Sequence, residues 1–152
     1  MEKTKYKQSR KFDKESYDKY DDLPKKLVSD FLIGRGHTII SSVEDYNHDL
    51  ITERNGKRFY FELEVKVGYP FTSAADYKFD TVSFLGRKIR LHNLNSFYYL
   101  IMSYETRCIA YCDSTIIFNE EYSQEVSVNG NNRSGIDKLY RVPKNLCGFF
   151  FV

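Results

Sequence analysis

The chain has 152 residues, a formal net charge of +2 and 41% apolar residues, which suits one buried core and is short for two independent domains. So small a net charge neither demands nor forbids a polyanionic partner. A hydrophilic N-terminus and the absence of any apolar run of about 18 residues argue against a secretory signal and a membrane span, so the expected location is cytoplasmic, with no membrane partner. Cys108, Cys112 and Cys147 lack the paired spacing of a zinc site and read as ordinary buried thiols.

In chain order, residues 1–11 carry Lys3, Lys5, Lys7, Arg10 and Lys11 against the single acid Glu2. This basic arm is either a flexible, solvated terminus or a segment that tracks phosphates, and residues 12–152 read as a single domain. Residues 12–22 begin a helical pattern that Pro24 separates from a clearer helix over 24–33. Asp22 is placed to cap that helix. Leu27, Val28, Phe31 and Leu32 form its apolar stripe, and Gly34 and Gly36 stop it.

The pattern then changes to strands. Thr38–Val43 reads as one, an acidic loop containing Glu44 and Asp45 follows, and Asp49–Thr52 begins another. Asn55-Gly56 is the preferred pair for a two-residue type I′ hairpin turn. Beyond it, Phe59, Phe61, Leu63 and Val65 alternate with Tyr60, Glu62, Glu64 and Lys66, the strongest strand signal in the chain. Residues 68–96 predict loops around a short strand near Val82–Leu85, with a cluster of Arg87, Lys88, Arg90 and His92 that suits phosphate contact or a solvated loop. Tyr98–Met102 and Cys108–Cys112 predict a second hairpin. Phe149–Val152 is too apolar to leave in water and should dock into the core. Tyr69, Phe71 and Tyr77 are expected to pack in core or loop rather than stack on bases.

An acid-x-Lys triplet is weak evidence by itself, since random placement of 21 acids and 14 lysines yields about two. Two occur: Glu64-Val65-Lys66, on the alternating strand, and Asp76-Tyr77-Lys78, which has no such scaffold. Hairpin pairing strengthens the first. With Asn55-Gly56 at the turn, Arg54 faces Lys57 and Asp49 lies opposite Glu62, so Asp49, Glu62, Glu64 and Lys66 share one face. Glu64 is a diagonal neighbour of Asp49, about 7–8 Å away between backbones. Carboxylates so placed are suited to Mg²⁺ or Mn²⁺, and a lysine beside them to orienting or deprotonating a water that attacks a phosphodiester. The bland alternative is a solvated strand face whose charges offset one another.

Asp49-Leu50-Ile51, an Asn-Gly hairpin, then Phe61-Glu62-Leu63-Glu64-Val65-Lys66 resembles the core motif of the PD-(D/E)XK nuclease superfamily, over residues 20–67. The family pattern sets an Asp at the start of one strand and Glu-x-Lys on the next, after a helix bearing a further acid; here His48-Asp49 stands where Pro-Asp often does. The resemblance implies an α/β fold with a restriction-endonuclease-like core, a mixed β-sheet flanked by helices. It implies a metal-dependent endonuclease acting on DNA, with RNA as the other polymer to test. Asp49, Glu64 and Lys66 would be catalytic, and Asp49, Glu64, Glu62 and Asp22 would be the metal-ligand candidates, with Asp21, Asp30 and Glu15 the other acids near the helix. Arg87, Lys88 and Arg90 would contact nucleic acid. With no second domain to read a long sequence, recognition of DNA structure by a phage-like nuclease, or action as a homodimer, is the expected style. The rival is a non-catalytic nucleic-acid-binding or interaction protein on the same fold.

Overall fold

A computed structural model of the protein describes residues 22–41, 48–130 and 133–152. The basic arm of residues 1–11, nearly all of the helical pattern at 12–22, and the loop with Glu44 and Asp45 lie outside the described residues.

The first helix, α1 (Leu23–Gly34), has Pro24 in its first turn and buries Pro24, Val28 and Leu32. Asp22 occupies the N-cap position, but its backbone is itself helical (φ −68°, ψ −52°) and its side chain makes no capping hydrogen bond. A capping side chain needs an extended backbone to reach back to the first free N–H groups, which corrects the expected role of Asp22.

Four strands follow: β1 (Thr38–Ser41), β2 (Leu50–Arg54), β3 (Lys57–Lys66) and β4 (Thr81–Leu85). Arg54 pairs with Lys57 and Leu50 with Phe61, the register read from the turn. Asn55 and Gly56 both have positive φ, 53° and 75°, as a type I′ turn requires. A tight turn at Gly86–Lys88 and the short α2 (Ile89–His92) lead to the hairpin of β5 (Tyr98–Ser103) and β6 (Cys108–Asp113). The chain then forms α3 (Ser114–Ile117), β7 (Ser123–Gly130), β8 (Arg133–Pro143) and β9 (Gly148–Phe151).

These strands make two sheets. The larger has the order β1-β2-β3-β5-β6-β9, the smaller β4-β8-β7. Because β3 and β5 run parallel while the other pairs run antiparallel, the larger sheet is mixed, as expected for the α/β class. The apolar tail docks as β9, with Phe149 opposite Ala110.

The alternation on β3 divides the molecule. Phe61 joins Leu50, Leu100, Met102 and Ile109 in a core under Val28 and Leu32 of α1. The opposite face carries Tyr99, Ile101, Ala110 and Cys112 into a second core with Val82, Phe84, Tyr140 and Val142 of the smaller sheet. The expected flanking by helices is met by α1 on one face; among the described residues the other is covered mainly by the antiparallel strands of the smaller sheet, with Leu91 of α2 and Ile117 of α3 buried in the same core. No described helix is long and apolar enough to cross a membrane.

Candidate active site

Glu62, Glu64 and Lys66 project from β3 on the side that faces the smaller sheet, whereas α1 packs on the other side. This takes Glu62 out of water and Glu64 and Lys66 only in part. Glu62 is 3% exposed, and the Glu64 side chain retains a quarter of its exposure and Lys66 less than half. Withdrawing carboxylates from water is costly unless cations or donors face them, and each acid here has them.

Lys66 Nζ lies 3.3 Å from Glu64 Oε1, and the Tyr99 hydroxyl donates to Glu64 Oε2 at 3.1 Å. The two are neighbours because β5 runs beside β3 in register, with Tyr99 opposite Glu62 and Ile101 opposite Glu64. Burial above all, and then the Glu64 carboxylate, hold Tyr99 well above the ordinary phenol range. The phenol therefore remains a hydrogen-bond donor throughout the physiological pH range.

Asp49 stands just before β2, where the hairpin ladder ends. Its Oδ2 accepts the backbone N–H of Leu63 at 3.0 Å, which fastens the carboxylate to β3 between Glu62 and Glu64. The preceding residue, His48, is 1% exposed, with its ring 4.9 Å from that of Tyr60 and 5.5 Å from that of Phe97. Burial of this ring anchors the entry to Asp49. It is a positioning feature that a search for acids and lysines passes over.

Glu62 is reached from the smaller sheet: Lys88 Nζ lies 3.7 Å from its Oε2. Lys88 was expected among the phosphate-contacting cations, but its ammonium faces a buried carboxylate instead. The cause is the turn at Gly86, where an added Cβ would come 2.5 Å from the Lys138 carbonyl oxygen. Glycine lets the turn lie directly on β8 and swings Lys88 over β3. Arg87 and Arg90 are exposed and keep the character of a surface cluster. Asp22, also exposed, starts a helix on the sheet face opposite Glu62 and Glu64, so the fold does not gather it with the other acids. Asp30 pairs with Lys26 at 2.8 Å on the surface of α1.

The second acid-x-Lys triplet has a different use. Asp76 accepts from the backbone N–H groups of Thr72 and Ser73 and from the Thr72 hydroxyl, and these bonds, led by the Thr72 hydroxyl, hold its carboxyl below the usual range. It is the clasp of a loop.

Asp49 and Glu64 are hard oxygen donors of the kind Mg²⁺ and Mn²⁺ take. Among the described residues no group of three or more His, Cys, Asp or Glu is arranged to hold a metal ion. No family model, curated protein or solved structure matches the chain.

Proposed function

We propose that the protein is a metal-dependent endonuclease of the PD-(D/E)XK type, hydrolysing DNA phosphodiester bonds at the Asp49, Glu64 and Lys66 face of β3. The observation that carries this reading is the Asp49 carboxylate bonded to the Leu63 N–H of β3, on the strand that bears the paired Glu64 and Lys66. Further support comes from the order of elements: a helix, an antiparallel hairpin bearing the acids, and a neighbouring parallel strand in a mixed sheet.

Asp49 and Glu64 would hold Mg²⁺ or Mn²⁺. When bound, the ion supplies charge neutralisation at the scissile phosphate. The chain's own groups do the rest. The Leu63 N–H holds Asp49 in place, and the Tyr99 hydroxyl fixes one oxygen of Glu64. Lys66 presents its ammonium beside Glu64, where it can orient an attacking water or offset charge developing on phosphate oxygens. Glu62, with Lys88 beside it at 3.7 Å, is the reserve ligand.

The test is conversion of supercoiled plasmid to nicked or linear DNA with Mn²⁺ and with EDTA. Metal-dependent cutting is expected, with Glu64→Gln and Lys66→Ala each reducing it at least 100-fold at unchanged melting temperature, as removal of one preorganised catalytic group does. Equal cutting by both variants would refute the site. DNA binding without cutting under all metals would favour the non-catalytic binding protein.

A further inference from the structure

Beside Lys66, on the side away from Asp49, a cavity of about 330 Å³ opens between β3 and the start of β4. That size lies at the lower end of the range for small-ligand sites. Its walls carry two ammonium groups, Lys66, which is paired to Glu64, and Lys78. Tyr69 and Phe79 line it while remaining 52% and 53% exposed, so two large aromatic side chains are left half in water beside a concave surface. The floor is fixed: Phe71 is buried, its ring edge-on to Tyr77 at 5.1 Å and to Phe149 at 6.0 Å. The loop that forms the wall is closed by the Asp76 clasp on Thr72 and Ser73, and Lys144 Nζ donates to the Tyr77 carbonyl at 3.4 Å. Lys78 Nζ stands 5.5 Å from the centre of the Phe79 ring, which brings cation and aromatic face together at one rim.

A preorganised pocket with aromatic walls and cationic rims matches a ligand that has both a flat π-surface and a phosphate. We propose that it binds an unpaired nucleotide of single-stranded DNA next to the scissile phosphate, with the base against Tyr69 and Phe79 and the flanking phosphate toward Lys78. A base inside a duplex is stacked on its neighbours and cannot enter such a concavity. The substrate class is then DNA with single-stranded character at the cut: a flap, a gap, a frayed end or a single strand. The choice of polymer rests on the nuclease reading above; the binding itself does not, because it is measured without metal.

The experiment is fluorescence anisotropy in EDTA at low salt, using a fluorescein-labelled short oligothymidylate, the same length of duplex, and a labelled polyglutamate peptide as a non-nucleic polyanion. The oligothymidylate should bind more tightly than either control. Tyr69→Ala and Phe79→Ala should each weaken it about 5- to 150-fold, the loss of one base–aromatic stack. Lys78→Ala should weaken it and reduce its salt dependence. All three side chains are exposed, so unchanged melting temperatures are expected and serve as the folding control. Binding by the aromatic variants equal to wild type, or duplex or polyglutamate binding as tight as the oligothymidylate, would overturn the proposal. Stack-dependent single-strand binding by a protein that never cuts would uphold the pocket and overturn the catalytic reading. Cutting with binding unaltered in the aromatic variants would do the reverse.

Discussion

Asp49, Glu64 and Lys66 owe their placement to parity, which is a local property: a two-residue turn fixes which side chains share a face, and the sequence shows the turn. What faces them is not local. Tyr99 reaches Glu64 from 35 positions along the chain, and Lys88 reaches Glu62 only because Gly86 lies on a strand formed some fifty residues later. Alternation on β3 announced a polar face, and from one strand alone a polar face reads as solvated; its burial depends on a second sheet whose docking no local pattern encodes. A separate residue-scale consequence concerns His37, whose Nδ1 lies 2.7 Å from the Thr52 hydroxyl. Burial, and then the Arg54 charge, lower its pKa from the ordinary 6.5. A histidine depressed in the folded state adds no penalty above its unfolded pKa. It destabilises increasingly as pH falls from 6.5 toward the folded value, because the unfolded chain binds the proton more readily. Stability measured by urea unfolding should therefore fall between pH 7 and pH 5, and the fall should be smaller in His37→Gln. An identical fall in the variant would show that His37 does not set this pH dependence.

At the scale of elements, the helix, the Asn-Gly hairpin, the short strand near Val82–Leu85, the second hairpin and the docking tail were all readable from periodicity and turn chemistry. The hairpin of β7 and β8 was not. Its first strand, Ser-Gln-Glu-Val-Ser-Val-Asn-Gly, offers little apolar alternation, and it is held largely by pairing along β8, from Ser123 opposite Tyr140 to Gly130 opposite Arg133. The alternation of Val126 with Val128 and the Asn-Gly-Asn-Asn run after them are its only marks in the sequence, short for a strand of eight residues. The Asn55-Gly56 turn is the element on which the site's register depends, so it is also where the site is vulnerable. Gly56 sits at φ 75°, a left-handed conformation that costs a residue with a Cβ about 1–2 kcal/mol. Gly56→Ala should lower unfolding stability by about that amount with an unchanged urea m-value. A neutral substitution would show that the turn is not held in this conformation.

Across the whole molecule, the two sheets enclose a core between them and leave the acids of β3 at its margin, beside the cavity bounded by Lys66. The larger sheet thus serves two layers at once. Both of its faces supply packing, and the face toward the smaller sheet also carries the charge of β3. This explains why one-sided patterning on β3 was legible while the identity of the second layer, a three-stranded sheet joined by two short helices, was not: both kinds of element present the same apolar surface to a sheet. Asp49 and Glu64 are proposed to act together as a divalent-ion site. Calorimetric titration with Mn²⁺ tests this most directly. The wild-type protein should bind with one-to-one stoichiometry and gain melting temperature as the site fills, while Asp49→Asn and Glu64→Gln should each lose both the heat and the gain. Retention of Mn²⁺ binding by both variants, or no binding by the wild type at millimolar metal with DNA present, would contradict it.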